Sequence, residues 1–285
     1  MANEFFTEKE YKKYYKQIKE MLINKKDKDS IHLATLVGGQ PGSGKSELTK
    51  FIQAEDKNAI MIDGDFIREY HPGLQKIKSD FGTDYPKVTQ PFVNRVVEQL
   101  IDELSKEKYN LIIEGTLRDM DVPLRTATML DDRDYLVELH IIATNQALSW
   151  QSTIDRGDRM QEAGKIPRYV DKEHHDKIVS SLPETVEELA KSDVFYNVII
   201  MRRDRTVLYD RDQTPELNPK DIMEKELSGE QVKSMNDIMN DREQAQRENL
   251  VDLDVQINQA RNEIEKESTG PNREHLSLNE YMEER

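Results

Sequence analysis

Two kinds of apolar spacing alternate along this chain. Short, continuous apolar runs rich in β-branched residues read as buried strands, and apolar positions recurring at three and four residues read as amphipathic helices. Ile31–Val37 (IHLATLV), Asn58–Asp63 (NAIMID), Tyr109–Thr116 (YNLIIEGT), Tyr135–Thr144 (YLVELHIIAT) and Val194–Met201 (VFYNVIIM) are of the first kind. Thr206–Asp210 (TVLYD) predicts a short hairpin partner for the last of them. Residues 7–26 are of the second kind, with Tyr11, Tyr14, Tyr15, Ile18, Met21 and Leu22 on one stripe that is expected to pack on the core. Further helices are predicted after Ser46, from about Phe66, over Pro91–Lys106, over Asp121–Arg133, and at roughly 145–163 and 171–191. Pro72, Gly73, Gly82 and Pro86 predict an irregular stretch over 72–90. Strands alternating with helices imply an α/β fold of three layers, a mainly parallel sheet with right-handed crossovers flanked by helices.

Beyond Pro219 strand patterns cease and Glu, Lys, Gln and Asn dominate. Leu250, Leu253, Ile257, Ala260 and Ile264 form a seam of two heptads, too short for a coiled coil, which predicts a helix lying across the domain. The expected organisation is a main domain over 1–219, a helical C-terminal extension over 220–267 and a flexible tail over 268–285.

Composition narrows the classes. The chain has 285 residues and a net charge of −15. An acidic surface argues against nucleic acid or an anionic membrane as partner, so an anionic substrate must meet a local cationic pocket. The absence of cysteine excludes disulfides, thiolate nucleophiles and thiolate-bound metals. MANEFFTEKEYKKYYKQ lacks the apolar core of a signal peptide, and a soluble cytoplasmic protein is the expectation.

The sharpest chemical signal lies between the first strand and the helix after it. Gly38–Ser46 reads GGQPGSGKS, a P-loop pattern whose fixed positions are Gly39, Gly44, Lys45 and Ser46. Across Gly39, Gln40, Pro41, Gly42, Ser43 and Gly44 the glycines let the backbone curl, so that N–H groups face phosphate oxygens. Lys45 is placed for the β- and γ-phosphates of ATP, and the Ser46 hydroxyl for Mg²⁺. No D-x-x-G follows, and Asn24–Asp27 (NKKD) precedes the loop, so a GTPase reading fails.

Three carboxylates stand at strand carboxyl ends, where ligands of open α/β sheets bind. Asp63 suits either a metal or a helix N-cap. Asp65 suits a base taking the proton of an attacking hydroxyl. Glu114, Thr116 and Arg118 follow the third strand as substrate-binding groups. Arg156, Arg159 and Arg168 flank a Gly/Pro segment and read as lid arginines that offset transition-state charge. Together these features predict a P-loop kinase-like fold. His174 and His175 are expected on a helix surface, and Trp150 in the core.

VGGQPGSGKS, MIDGDFIREYHP and YNLIIEGTLRDMDVPLRTATML, within about residues 7–210, resemble the zeta toxins of bacterial epsilon/zeta toxin–antitoxin systems. That family consists of UDP-N-acetylglucosamine kinases related to the shikimate-kinase type. They move the γ-phosphate of ATP to the 3′-hydroxyl of the amino sugar and so poison cell-wall synthesis. The resemblance implies Lys45 as phosphate-binding lysine and Asp65 as base. It implies Glu98, Glu114, Thr116, Arg118 and Thr126 as acceptor contacts, and Arg156 as first lid arginine. Arg168 is the second lid arginine, with Arg159 competing for that role. It also implies a small helical epsilon-type antitoxin that blocks the nucleotide site in a heterotetramer. A P-loop kinase of another small metabolite or of a nucleic-acid end is the alternative.

Overall fold

The computed structural model describes residues 5–247 together with 255, 256 and 259. The chain divides into two compact units, one ending at Ser234 and one beginning at Met235. In the second, residues 235–247 are helical. The two-heptad seam and the tail expected over 268–285 lie outside the described residues.

The first unit is built on a six-stranded sheet. In chain order its strands are β1 (His32–Gly38), β2 (Ile60–Ile62), β3 (Leu111–Glu114), β4 (Tyr135–Ile142), β5 (Asn197–Met201) and β6 (Val207–Asp210). Their spatial order is β2-β3-β1-β4-β5-β6. The first five run parallel, and β6 closes the edge antiparallel to β5, as the hairpin expectation required. Parallel strands are buried on both faces, which explains their continuous apolar runs. Ala34 and Leu36 of β1 face a core shared with the helices α1 (Glu8–Ile23), α5 (Tyr85–Lys106), α6 (Asp121–Asp131), α8 (Lys172–Ala190) and α9 (Pro219–Ser228). Val37, Ile112, Ile142 and Met201 face the other way, onto Leu48 and Ile52 of α2 (Lys45–Glu55). These are the three layers expected.

The aromatic stripe of α1 is core. Tyr11, Tyr15 and Ile18 are buried, and the Tyr11 hydroxyl donates to Gln99 Oε1 at 2.7 Å. Among the described residues no helix is long and apolar enough to cross a membrane.

The irregular stretch expected over 72–90 is helical. α3 (Gly64–Arg68) is followed by α4 (Leu74–Phe81), and α5 starts at Tyr85 rather than Pro91. Pro86 stands in the first turn of α5, where a missing N–H costs nothing. Pro91 does remove a helical bond, but the turn before it is held from outside. Buried Arg68 donates through Nη1 to the Pro86 carbonyl at 2.8 Å and to Thr89 Oγ1 at 2.6 Å. Tyr85 also closes a small apolar cluster with Leu74 and Ile77.

Candidate functional site

The P-loop joins β1 to α2 (Gly38 to Lys45) at the carboxyl edge of the sheet. Its backbone is left-handed at Gly42 (φ 75°) and Gly44 (φ 101°), where a side chain would be strained. A Cβ on Gly42 would also stand 2.1 Å from the Ser149 carbonyl oxygen of α7 (Gln146–Glu162). Lys45 is buried and donates through Nζ to the carbonyls of Gly39 and Gln40, each at 2.9 Å. Burial pushes its ammonium down to about 8, against the pull of Glu114 and Asp65 and with the push of Arg156. Gln40 Nε2 donates to the Thr144 carbonyl at 2.6 Å, which ties the loop to the end of β4.

The acids converge on the same edge. Asp63 caps α3 by accepting from the Asp65 amide at 2.8 Å. The side chain of Asp65 pairs with Arg168 Nη1, and Arg68 Nε lies 3.9 Å away. Desolvation alone would raise the Asp65 carboxyl, but Arg168, Arg68 and Arg156 together hold it below the usual carboxylate range. Glu114, at the end of β3, accepts from Ser46 Oγ at 3.3 Å. Desolvation and the charges of Asp63 and Asp65 raise its carboxyl, against Lys45. The Nε atoms of Arg156 and Arg168 are buried without a hydrogen-bond partner.

The structure therefore brings Lys45, Ser46, Asp63, Asp65, Glu114, Arg156 and Arg168 into one electrostatic cluster. Arg159 is exposed on α7 and stands outside it. Thr116 and Arg118 are exposed on the loop after β3. Between them Leu117 is buried in a left-handed conformation (φ 53°), with its side chain over Gly38, whose added Cβ would lie 2.3 Å from it. Thr126, half-buried on α6, donates to the Val122 carbonyl of its own helix at 2.9 Å. Glu98 is not drawn into the cluster; it is exposed on α5, and its charge acts on Tyr11 of α1.

Two neighbours of the site went unread in the sequence, and a third was placed on the wrong side of its helix. Arg68 follows Asp65 by one helical turn, which was the available signal. Arg203, after β5, donates to the carbonyls of Gly42 and Ser43. His175, expected on the surface, is buried, with Nε2 3.0 Å from Ser149 Oγ in α7. Trp150, expected in the core, is half-buried, with its ring 5.5 Å from that of His175. α7 and α8 pack here, so the inward face of α8 takes His175 while His174 stays exposed.

A P-loop at the carboxyl edge of a parallel sheet, an acid at the end of the next strand and arginines reaching over both define a P-loop kinase-like protein. The chain belongs to the zeta toxin family, whose model matches residues 18–214. Toxin zeta of Streptococcus pyogenes is 36% identical over 225 residues, 78% of each chain. Toxin PezT of Streptococcus pneumoniae serotype 4 is 35% identical over 227 residues, 79% of this chain and 89% of that one. A solved chain from the PezAT chromosomal toxin–antitoxin system of Streptococcus pneumoniae superposes with a TM-score of 0.72 at 30% identity, covering 88% of this chain and 99% of that chain.

Proposed function

We propose that this protein is the toxin of a type II toxin–antitoxin pair and acts as an ATP-dependent kinase on UDP-N-acetylglucosamine. The observation that carries this reading is the joining of Lys45, Asp65, Glu114, Arg156 and Arg168 beside the P-loop. The 3′-hydroxyl oxygen of the amino sugar attacks the γ-phosphorus as its bond to the β–γ bridging oxygen breaks, and ADP leaves. Asp65 takes the hydroxyl proton. Lys45 exchanges two loop carbonyls for β- and γ-phosphate oxygens, which satisfy an ammonium better than neutral acceptors do. Arg156 and Arg168 each bring a buried Nε–H for which an anion is the fitting partner. On this reading both offset the charge that builds on the transferring phosphoryl group, and their grouping with Lys45 and Asp65 supports it.

Ser46 Oγ, Asp63 and Glu114 offer hard oxygen donors, and that set suits Mg²⁺, which keeps waters and phosphate oxygens as its other ligands. Bound there, the ion would offset phosphate charge. Glu98, Glu114, Thr116, Arg118 and Thr126 are assigned to the acceptor by the family pattern, and Glu114 also stands beside Ser46. An epsilon-type helical antitoxin in a heterotetramer, in the cytoplasm, is the partner this reading expects; the toxin–antitoxin nature of PezAT supports an antitoxin partner.

Incubation with ATP and UDP-N-acetylglucosamine, followed by mass spectrometry of the sugar nucleotide, tests the reaction. One added phosphate is expected, with Lys45→Ala and Asp65→Ala slower by about 10²–10⁴. A folded wild-type protein that adds none sinks the acceptor assignment. Transfer to another hydroxyl compound in a panel would keep the kinase and replace its substrate.

A further inference from the structure

The turn between β5 and β6 carries Arg202, Arg203 and Arg205, and the first two face opposite ways. Arg202 grips α9: its Nε lies 3.1 Å from both carboxylate oxygens of Glu226, and its Nη2 donates to the Val232 carbonyl at 2.7 Å. Arg203 lies along the P-loop. Its Nη2 donates to the Gly42 carbonyl and, at 2.9 Å, to Ser152 Oγ of α7, while its Nε donates to the Ser43 carbonyl at 3.0 Å. The Ser43 carbonyl also accepts from Thr144 Oγ1 at 3.0 Å.

A trans peptide is planar, so its C=O and N–H point in opposite directions. Two donors on the Ser43 oxygen therefore fix the direction of the Gly44 N–H, away from Arg203 and Thr144. Phosphate cradles work by aiming such amides at the anion. Gly42 and Gly44 are also two of the left-handed positions of the loop, with Gly39, where glycine has the most backbone freedom to lose. An external clamp matters most there.

We propose that Arg203 is a positioning residue for the nucleotide: by holding the Ser43 carbonyl it keeps the Gly44 amide aimed at phosphate, and by holding the Gly42 carbonyl it braces the turn in which the Ser43 amide donates to the Gln40 carbonyl at 3.1 Å. Arg203 touches the loop's outward oxygens and acts on phosphate only through them. This rests on the reading of Gly38–Ser46 as a triphosphate site. It adds a part of the cradle that lies more than 150 residues away in sequence. Because Arg202 is bound to α9, the turn that clamps the P-loop is itself anchored by a helix beyond the family-matched region.

Full-length wild-type protein, Arg203→Ala and Arg203→Lys are compared by calorimetry with ATP in the absence of acceptor. Arg203→Ala is expected to weaken ATP binding by about tenfold or more, and Arg203→Lys, which keeps one donor, by less. The KM for the acceptor stays within about twofold, because only the phosphate end is disturbed. Amide hydrogen exchange of the free proteins gives a second readout. Arg203→Ala should speed exchange in peptides covering 38–46 and leave β4 and β5 unchanged. ATP affinity equal to wild type, or faster exchange spread through β4 and β5, overturns the proposal, since the latter describes an arginine that merely glues the sheet edge. If the wild type itself binds no ATP, the kinase reading falls, and the exchange comparison still decides whether Arg203 holds the loop.

Discussion

Asp65 at the start of α3 and Arg168 between α7 and α8 form an ion pair across the candidate site, 103 residues apart in sequence. The carboxylate read as the base is thereby held below its ordinary range, and so is a weak base. A γ-phosphate that draws Arg168 to itself would release Asp65 as the nucleotide arrives. On the proposed role of Asp65, the base would then gain strength only when there is a phosphoryl group to transfer.

The pair predicts a titration. In the free protein, NMR of the carboxylates should show Asp65 titrating below the unfolded-chain value of about 3.9. Arg168→Gln should move it upward, since desolvation then acts with less opposition. The sign for stability follows. A depressed folded value contributes stability above the unfolded value and loses it as pH falls through the folded one. The melting-temperature gap between wild type and Arg168→Gln should therefore narrow below about pH 4. A gap that is constant with pH would show that the pair does not shift Asp65.

Lys45 predicts proton uptake. With a value of about 8, roughly half the free molecules at pH 8 carry a neutral amine. Triphosphate favours the charged form, so binding should take up about half a proton at that pH. Calorimetry in two buffers of different ionisation enthalpy measures it. Affinity should decline as pH rises past about 8, and Lys45→Met should show neither effect.

Gly42→Ala places a side chain where φ is 75° and the Ser149 oxygen is 2.1 Å away. The left-handed backbone costs about 1–2 kcal/mol before any clash. A drop in melting temperature of roughly 4 °C or more is expected for a unit of this size, together with loss of ATP binding. A variant that melts like the wild type would show that the loop relaxes freely at this point.

His71 predicts an acid-sensitive core. Its ring is buried against Phe6 and Phe92, accepts from the Gly73 amide at 3.0 Å, and is pushed down to about 4 by burial. An unfolded chain binds this proton at about 6.5, so stability should fall as pH drops from there toward 4. His71→Asn should flatten that stretch of the stability curve. An unchanged slope in chemical denaturation would assign the acid loss to other groups.

What could be read in advance follows from the range of the forces involved. The P-loop, the strands and the position of Asp65 just past a strand's carboxyl end were legible because each depends on residue type at fixed local spacing. The start of α5 was not, because Pro86 and Pro91 read as breakers until Arg68, from another helix, is seen holding the Pro86 carbonyl. Arg168 and Arg159 look alike in sequence, and only tertiary packing sets one against Asp65 and leaves the other exposed. Arg203 and His175 act through partners far along the chain, and no local pattern announces such pairs.

Leu117 ties the loop after β3 to the start of the P-loop as one mechanical piece. Its side chain lies against Gly38, and the Gly115 amide before it is bonded to the Val37 carbonyl at 2.9 Å. The loop that offers Thr116 and Arg118 cannot drift without dragging the start of the P-loop with it. On the proposed acceptor role of Thr116 and Arg118, a lineage seeking a new acceptor has little freedom in the path of this loop. Its freedom lies at positions 116 and 118, whose side chains are exposed, while 38 and 117 must change together or not at all.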